Sequence, residues 1–135
     1  MIYVDSSVFI SYLFAVDDNH ARAQELLGNI PVDEMLASYS VVGEVLTVGS
    51  QRYDRAVTLS FIQYMFKEQW RCVREDADTL DRTFQIFQTI TQKNISWVDC
   101  YSVAVMQSMG VRQIATFDKD FVQLKVVYPE LEVMS

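Results

Sequence analysis

The sequence has few of the residues on which several common classes of protein depend. Its two cysteines, Cys72 and Cys100, are too few for a disulfide framework and lack the C-x-x-C spacing of many metal sites. A single histidine, His20, excludes catalysis by a pair of histidines. The longest uncharged apolar run, residues 8–16, is too short to cross a bilayer, and the N-terminus lacks the pattern of a signal peptide. We therefore expect reduced thiols, no membrane segment and a cytoplasmic protein.

Basic residues are also scarce. The chain has 11 lysines and arginines against 18 acidic residues, which gives a formal net charge of -7. This excess of negative charge argues against a protein that binds nucleic acid through a broad basic face. Any contact with nucleic acid would have to be local, or would have to be assisted by bound cations.

Proline is rare as well, with two residues, and no segment of the chain resembles a linker. Because half of the 135 residues are apolar, we expect residues 1–135 to form a single domain with a sizeable core. Strands are predicted at 2–5, 34–39, 70–75, 112–117 and 125–128. Helices are predicted at 6–14, 17–30, 54–68, 76–91 and 96–109, and one more helix is predicted to begin at residue 40. This alternation predicts an α/β three-layer sandwich, α/β/α, around a central, mostly parallel sheet of four to five strands.

Two of the predicted helices have informative apolar patterns. In the helix 76–91, apolar residues recur at i, i+3 and i+4, which predicts one buried stripe formed by Ala77, Leu80, Phe84 and Phe87. The helix 54–68 carries more apolar residues than one helical face can bury, Phe61, Tyr64 and Phe66 among them. Its second apolar face predicts either extra core packing or a surface for a dimer or another partner.

Four acidic residues are predicted to lie at one edge of the sheet. Asp5 ends the first strand, and Glu44 lies about one turn into the helix after the second strand. Asp99 lies in the first turn of the helix that leads to the fourth strand, and Asp118 directly follows that strand. Since the C-terminal ends of parallel strands share one edge, where α/β proteins bind ligands, these four carboxylates are expected to converge there.

Each acid also has a purely structural interpretation. Asp5 is placed to be a helix N-cap, and Asp99 completes the capping box that begins at Ser96. Glu44 fits a solvent-exposed position on a helix, and either Asp118 or Asp120 fits a position that caps a turn. Taken singly, these interpretations are at least as good as a functional one, but they do not explain why all the acids fall on one edge.

Carboxylates that converge repel one another, so either protonation or a bound cation must relieve the repulsion. A set of ligands made only of oxygen atoms favours hard ions such as Mg²⁺ or Mn²⁺ over zinc. Such ions activate water and neutralise charge that develops on a phosphoryl oxygen. The four acids therefore predict a metal site that acts on a phosphate-containing substrate.

Three stretches, "IYVDSSVFISYL", "SVVGE" and "SWVDCYSVAVMQSMGVRQIATFDKDF", together with their spacing, resemble the PIN-domain ribonucleases, and in particular the compact VapC-like toxins of prokaryotic toxin–antitoxin pairs. The resemblance covers essentially the whole chain. It implies an endoribonuclease that depends on Mg²⁺ or Mn²⁺, forms a homodimer and is held inactive by a small antitoxin protein.

The resemblance also implies roles for particular residues. The metal-site and catalytic acids would be Asp5, Glu44, Asp99 and Asp118, with Asp120 a lower-ranked alternative to Asp118. Ser6 and Thr116 match the hydroxyl residues that assist the acids. Lys119, between two aspartates, is a candidate contact for RNA phosphate, whereas most of the arginines are interpreted as solvated surface charges.

Two alternatives remain open. One is a Mg²⁺-dependent phosphatase with an aspartate nucleophile on the first strand, although that class has D-x-D where this chain has Asp5-Ser6-Ser7. The other is a non-catalytic PIN-like module for binding or scaffolding, although such proteins usually lack some of the acids.

Overall fold

The computed structural model describes residues 1–135 and contains one parallel sheet of five strands. The strands are β1 (Ile2–Val4), β2 (Met35–Ser38), β3 (Arg71–Val73), β4 (Gln113–Ala115) and β5 (Glu132–Met134). Their order across the sheet is β3-β2-β1-β4-β5, and every neighbouring pair is parallel. The predicted parallel α/β architecture is confirmed.

Six α-helices flank this sheet. They are α1 (Ser6–Leu13), α2 (His20–Gly28), α3 (Tyr39–Arg52), α4 (Arg55–Lys67), α5 (Ala77–Thr89) and α6 (Trp97–Met109). Short 3-10 helices cover Val32–Glu34 and Lys119–Val126. The helices pack in two groups, α1 to α4 in one and α5 with α6 in the other. No helix has the length and apolar character that crossing a membrane requires.

The core is densest around β1 and α6. Tyr3, Val4 and Phe9 have no exposed surface, and α6 is buried at every position from 100 to 106. A helix that is apolar on all sides lies inside a protein rather than on it, so α6 is fixed from every direction. Both cysteines are free, and burial raises the pKa of each thiol to about 11.

The prediction of a strand at 125–128 is wrong. This segment forms the end of the second 3-10 helix and the turn after it, and the fifth strand is β5 at 132–134. The helical spacing of Phe121, Leu124 and Tyr128 buries these three side chains against the core, while Val126 is left 72% exposed. The apolar residues therefore recur with a helical period, and residues 132–134 form the outermost strand of the sheet instead.

The predicted buried stripe of α5 is also wrong. Leu80, Phe84 and Phe87 are 38%, 55% and 45% exposed, and the helix instead buries Thr79, Thr83 and Ile86. Threonine tolerates this burial because the Thr83 hydroxyl donates to the Thr79 carbonyl at 2.8 Å. These small residues let α5 lie close to α6, and the aromatic side of α5 faces outward.

A close contact joins α3 to α4 at Gly49. A Cβ atom added there would lie 2.5 Å from Thr58 Oγ1 and 2.8 Å from Thr58 Cγ2. Thr58 is fully buried, and its hydroxyl donates to the Asp54 carbonyl at 2.7 Å, so the side chain has little freedom to move away. Glycine at position 49 is therefore required by packing between the two helices.

Replacing Gly49 with alanine should destabilise the protein. Overpacking a tight contact costs about 1–3 kcal/mol, which exceeds the gain of up to about 1 kcal/mol in helix propensity. Gly43, in the same helix, has open space around its Cα, so Gly43→Ala should instead raise the free energy of unfolding by up to about 1 kcal/mol. Urea denaturation of both variants measures this, and equal effects of the two substitutions would contradict the assigned contact.

Candidate active site

Asp5 lies at the C-terminal end of β1, the central strand, and is 6% exposed. Its Oδ2 atom accepts hydrogen bonds from the Ser7 hydroxyl at 2.7 Å and from the Thr116 hydroxyl at 2.8 Å. Asp5 occupies the N-cap position of α1, but its side chain makes no capping hydrogen bond. The carboxylate is thus held by two hydroxyl groups rather than by the helix backbone.

The same two hydroxyl groups also fix the turn after β4. Ser7 Oγ accepts the backbone N–H of Phe117 at 3.1 Å, and Thr116 Oγ1 accepts that of Asp118 at 3.0 Å. Ser7 was not among the predicted site residues, although a serine two positions after an aspartate is a common local partner for it. The pair of hydroxyls couples the first acid to the segment that carries the last.

Glu44 lies on α3 and faces Asp5. Burial of the carboxyl group raises the pKa of Glu44, although the residue as a whole is exposed. The charges of Asp5 and Asp118 raise this pKa further. The Ser6 hydroxyl beside the carboxyl offsets part of this rise in pKa. Ser6 is therefore associated with Glu44, whereas Ser7 serves Asp5.

Asp99 combines two arrangements. Its Oδ2 atom accepts the Ser96 backbone N–H at 2.9 Å, and its own N–H donates to Ser96 Oγ at 3.1 Å, so the predicted capping box is confirmed. Burial raises the pKa of Asp99 to about 6, and the charges of Asp118 and Asp5 add to the rise. The Asp99 carboxylate therefore caps the N-terminus of α6 and also interacts electrostatically with Asp118 and Asp5.

Asp118 lies three residues after the end of β4 and is half-buried. Burial is the largest cause of its raised pKa, and the charges of Asp120 and Asp5 contribute to it. Asp120 influences the pKa of Asp118 but not that of Glu44 or Asp99. No basic side chain offsets the raised pKa of any of these acids. The structure thus brings four carboxylates into mutual electrostatic contact around Asp5, with Asp120 at the margin.

A buried hydroxyl network lies beneath the acids. The Tyr3 hydroxyl, which has no exposed surface, donates to Ser102 Oγ at 3.0 Å and is bonded to Ser38 Oγ at 3.0 Å. Ser38 is the N-cap of α3, the helix of Glu44, and Ser102 lies one turn after Asp99 in α6. Burial raises the pKa of Tyr3, so this hydroxyl stays protonated and the network stays neutral.

The arrangement of the acids fits a hard divalent cation of the magnesium type. No three of the acids are close enough together to enclose an ion by themselves. Mg²⁺ commonly binds through one or two carboxylates and keeps several waters, so a closed cage of carboxylates is not required. The donors are oxygen atoms only, and two hydrogen bonds to Asp5 Oδ2 leave its Oδ1 atom for a ligand.

The sequence matches the PIN domain family over residues 2–127, and the chain belongs to that family. The resemblance found in the sequence is thereby confirmed. Proteins of this family are nucleases that generally use divalent metal ions.

Individual relatives agree with this assignment. VapC20 of Mycobacterium tuberculosis, named as a 23S rRNA-specific endonuclease, is 26% identical over 121 residues, which cover 90% of this chain and 92% of that protein. The crystal structure of VapC20, described as a sarcin-ricin loop cleaving toxin, superimposes with a TM-score of 0.83 at 25% identity and covers 91% of this chain and 94% of its own.

Two more distant structures share the fold. FitAcB from Neisseria gonorrhoeae has a TM-score of 0.75 at 17% identity and covers 100% of this chain and 97% of its own. A toxin–antitoxin complex from Klebsiella pneumoniae has a TM-score of 0.69 at 14% identity, with the same coverage.

The raised pKa of Asp99 predicts that stability depends on pH in metal-free buffer. The folded pKa of about 6 lies above the ordinary value of 3.8, so the folded state binds the proton more tightly than the unfolded state. Stability should therefore fall as pH rises from about 4 to about 6, by at most about 3 kcal/mol, and stay low above that range.

Asp99→Asn removes this titration and keeps an oxygen that can accept the Ser96 N–H. Its melting temperature in EDTA should vary less between pH 5 and pH 7 than that of the wild type, and it should be higher at pH 7. If the melting temperatures of the two proteins changed by the same amount across this pH range, titration of Asp99 would not be the cause of the pH dependence.

Proposed function

We propose that the protein is an endoribonuclease dependent on Mg²⁺ or Mn²⁺ and that it is the toxin of a toxin–antitoxin pair. The observation that carries the proposal is the set of acids coupled to Asp5 at the C-terminal edge of a PIN-family sheet. The VapC20 relative, an RNA endonuclease, supports the substrate class. The family match over most of the chain favours a nuclease over a phosphatase with an aspartate nucleophile.

In this proposal Asp5, Glu44, Asp99 and Asp118 hold the metal, and Asp120 is a lower-ranked ligand. A bound divalent ion supplies two things, a water with a lowered pKa and compensation for charge on the phosphodiester. Water adds to phosphorus as the bond from phosphorus to the leaving ribose oxygen breaks, and the proton lost by the water is balanced by the proton gained by that oxygen.

The contribution of the chain itself is to orient these groups. Ser7 and Thr116 fix one oxygen of Asp5, so the rotation of this carboxylate is set before any ligand arrives. The Ser6 hydroxyl beside Glu44 lowers the pKa of this carboxyl and so favours its charged form. Thr116 also holds the backbone of Asp118 through its accepted hydrogen bond, so it is proposed to assist cleavage by keeping two acids in register.

We propose two protein partners, a second copy of this chain and a small antitoxin. Two exposed apolar surfaces support this part of the proposal. One is a groove of about 300 Å³ between α1, α2 and α4, lined by Phe9, Tyr12, Phe61, Tyr64 and other mostly apolar residues. The other is the outward side of α5, where Phe84 and Phe87 contact Trp97.

Metal binding should stabilise the folded protein. Because a ligand that binds only the folded state raises its stability, millimolar Mn²⁺ should raise the melting temperature measured by calorimetry. Asp5→Asn should abolish most of this rise, since asparagine can accept the bonds from Ser7 and Thr116 but brings no charge. Asp33→Asn is the matched control and should behave as the wild type, because Asp33 lies before β2, at the opposite edge of the sheet. A rise of equal size in all three proteins would exclude the proposed site.

Cleavage should require the metal. The purified protein should cut an RNA oligonucleotide that contains the sarcin-ricin loop sequence when Mg²⁺ or Mn²⁺ is present, and EDTA should stop the reaction. Asp99→Asn should lower the rate by roughly 100-fold or more, because loss of a residue that only supports a metal ligand already costs about 10- to 100-fold. Gel analysis of the products measures this, and cutting that persists in EDTA would refute the metal-dependent mechanism.

A further inference from the structure

A groove of about 790 Å³ opens beside the acids, between the turn after β4 and the start of α2. Thr116, Asp118 and Lys119 line one wall, and Asp18 and Arg22 line the other. Two of these side chains, the hydroxyl of Thr116 and the carboxylate of Asp118, belong to the candidate active site, so the groove is continuous with it. Two are exposed cations in a chain whose net charge is negative.

Arg22 is placed to receive an anion. Its one hydrogen bond within the protein goes from Nη2 to the backbone carbonyl of Ser135, which follows β5. A guanidinium group has five N–H donors, so most of them remain available. This bond ties the side chain to the segment after β5 at the edge of the sheet.

The cations lie on one side of the acids along the sheet edge. Asp5 follows β1, Asp118 and Lys119 come shortly after the neighbouring strand β4, and Arg22 is bonded to Ser135 just after β5, the outermost strand. With about 4.8 Å between strands, β5 lies about 10 Å from β1. This distance places Arg22 and Lys119 beside the acids rather than among them, where a chain of phosphates that leaves the site would pass.

We propose that Arg22 and Lys119 bind backbone phosphates of single-stranded RNA that runs along this groove from the acids toward β5. The inference rests on the proposed ribonuclease function and names the path of its substrate. A duplex would need a broad basic face, which the charge of the chain does not provide. Asp18, in the same wall as Arg22, adds negative charge to the groove, so the expected number of phosphate contacts here is two, one at Arg22 and one at Lys119.

The test compares the salt dependence of cleavage in full-length variants. In Arg22→Gln/Lys119→Gln, KM for a single-stranded RNA oligonucleotide should rise roughly tenfold or more, since two charge-assisted contacts are lost, while kcat changes little. The slope of log kcat/KM against log salt should become shallower by about 1.4, because each contact with a single strand contributes about 0.7. Melting temperatures verify that the variants are folded.

Two further variants separate the proposal from simpler explanations. Lys67→Gln/Arg112→Gln removes the same charge at the opposite edge of the sheet, where α4 ends and β4 begins, and should keep the wild-type KM and slope. Arg22→Lys keeps the charge but alters the tether to Ser135, so it should retain most of the wild-type slope if phosphate binding is the role of this residue.

The outcomes distinguish this inference from the function on which it rests. If the wild type cleaves RNA and the Arg22/Lys119 variant keeps the wild-type KM and salt slope, the path is wrong and the ribonuclease function stands. If both double variants change equally, a general loss of charge explains the effect and the path is again wrong. If the wild type does not cleave RNA with either metal, the proposed function and this inference both fail.

Discussion

The Tyr3 hydroxyl is the point through which the acidic edge is held together. A buried hydroxyl is costly unless it is hydrogen-bonded, and this one is satisfied only when β1, the start of α3 and the first half of α6 have one relative arrangement. Asp5, Glu44 and Asp99 lie on these three elements. The geometry of the charged groups is thus set by neutral groups one layer below them, where water does not compete.

The acids themselves work against folding. Three of the four have a raised pKa that burial and neighbouring carboxylates cause, and no cation in the chain compensates. Such an arrangement persists because the apolar core supplies the stability that the site removes, as is typical of functional sites. Asp99 limits the loss by using one oxygen to cap α6, so its structural and functional interpretations are compatible rather than exclusive.

Much of this structure was accessible from the sequence, for definite reasons. β1 to β4 are short apolar runs between helical segments, and parallel topology then places Asp5 and Asp118 on one edge without any knowledge of contacts. Periodicity failed where tertiary packing decided the outcome. The stripe of Phe84 and Phe87 has the correct helical spacing for burial, yet threonines on the other side of α5 give a closer approach to α6.

Tyr3 was missed for a related reason, because its hydroxyl acquires its role from partners more than 30 positions away. Ser7 did have a local partner in Asp5, but its bond to Phe117 also joins residues that are far apart in the sequence. Arg22 belongs to the same class, since its position depends on a carbonyl at the far end of the chain. The identity of Tyr3 or Arg22 carries no local signal, whereas an acid that interrupts an apolar strand does. Sequence reasoning therefore located the charged groups of the site more readily than the groups that orient them.

The strand order has a consequence for the moment at which the site comes into existence. The first strand is the middle of the sheet, and its neighbour on one side is β4, whose residue Ala115 accepts the backbone N–H of Asp5. Translation delivers Asp5 first and Asp118 after a further 113 residues. A ribosome-bound fragment that ends before β4 lacks one of the four acids, Asp118, and the hydroxyl of Thr116. The complete edge can form only after Asp118 has been made, and it is built by contacts between segments more than 100 positions apart.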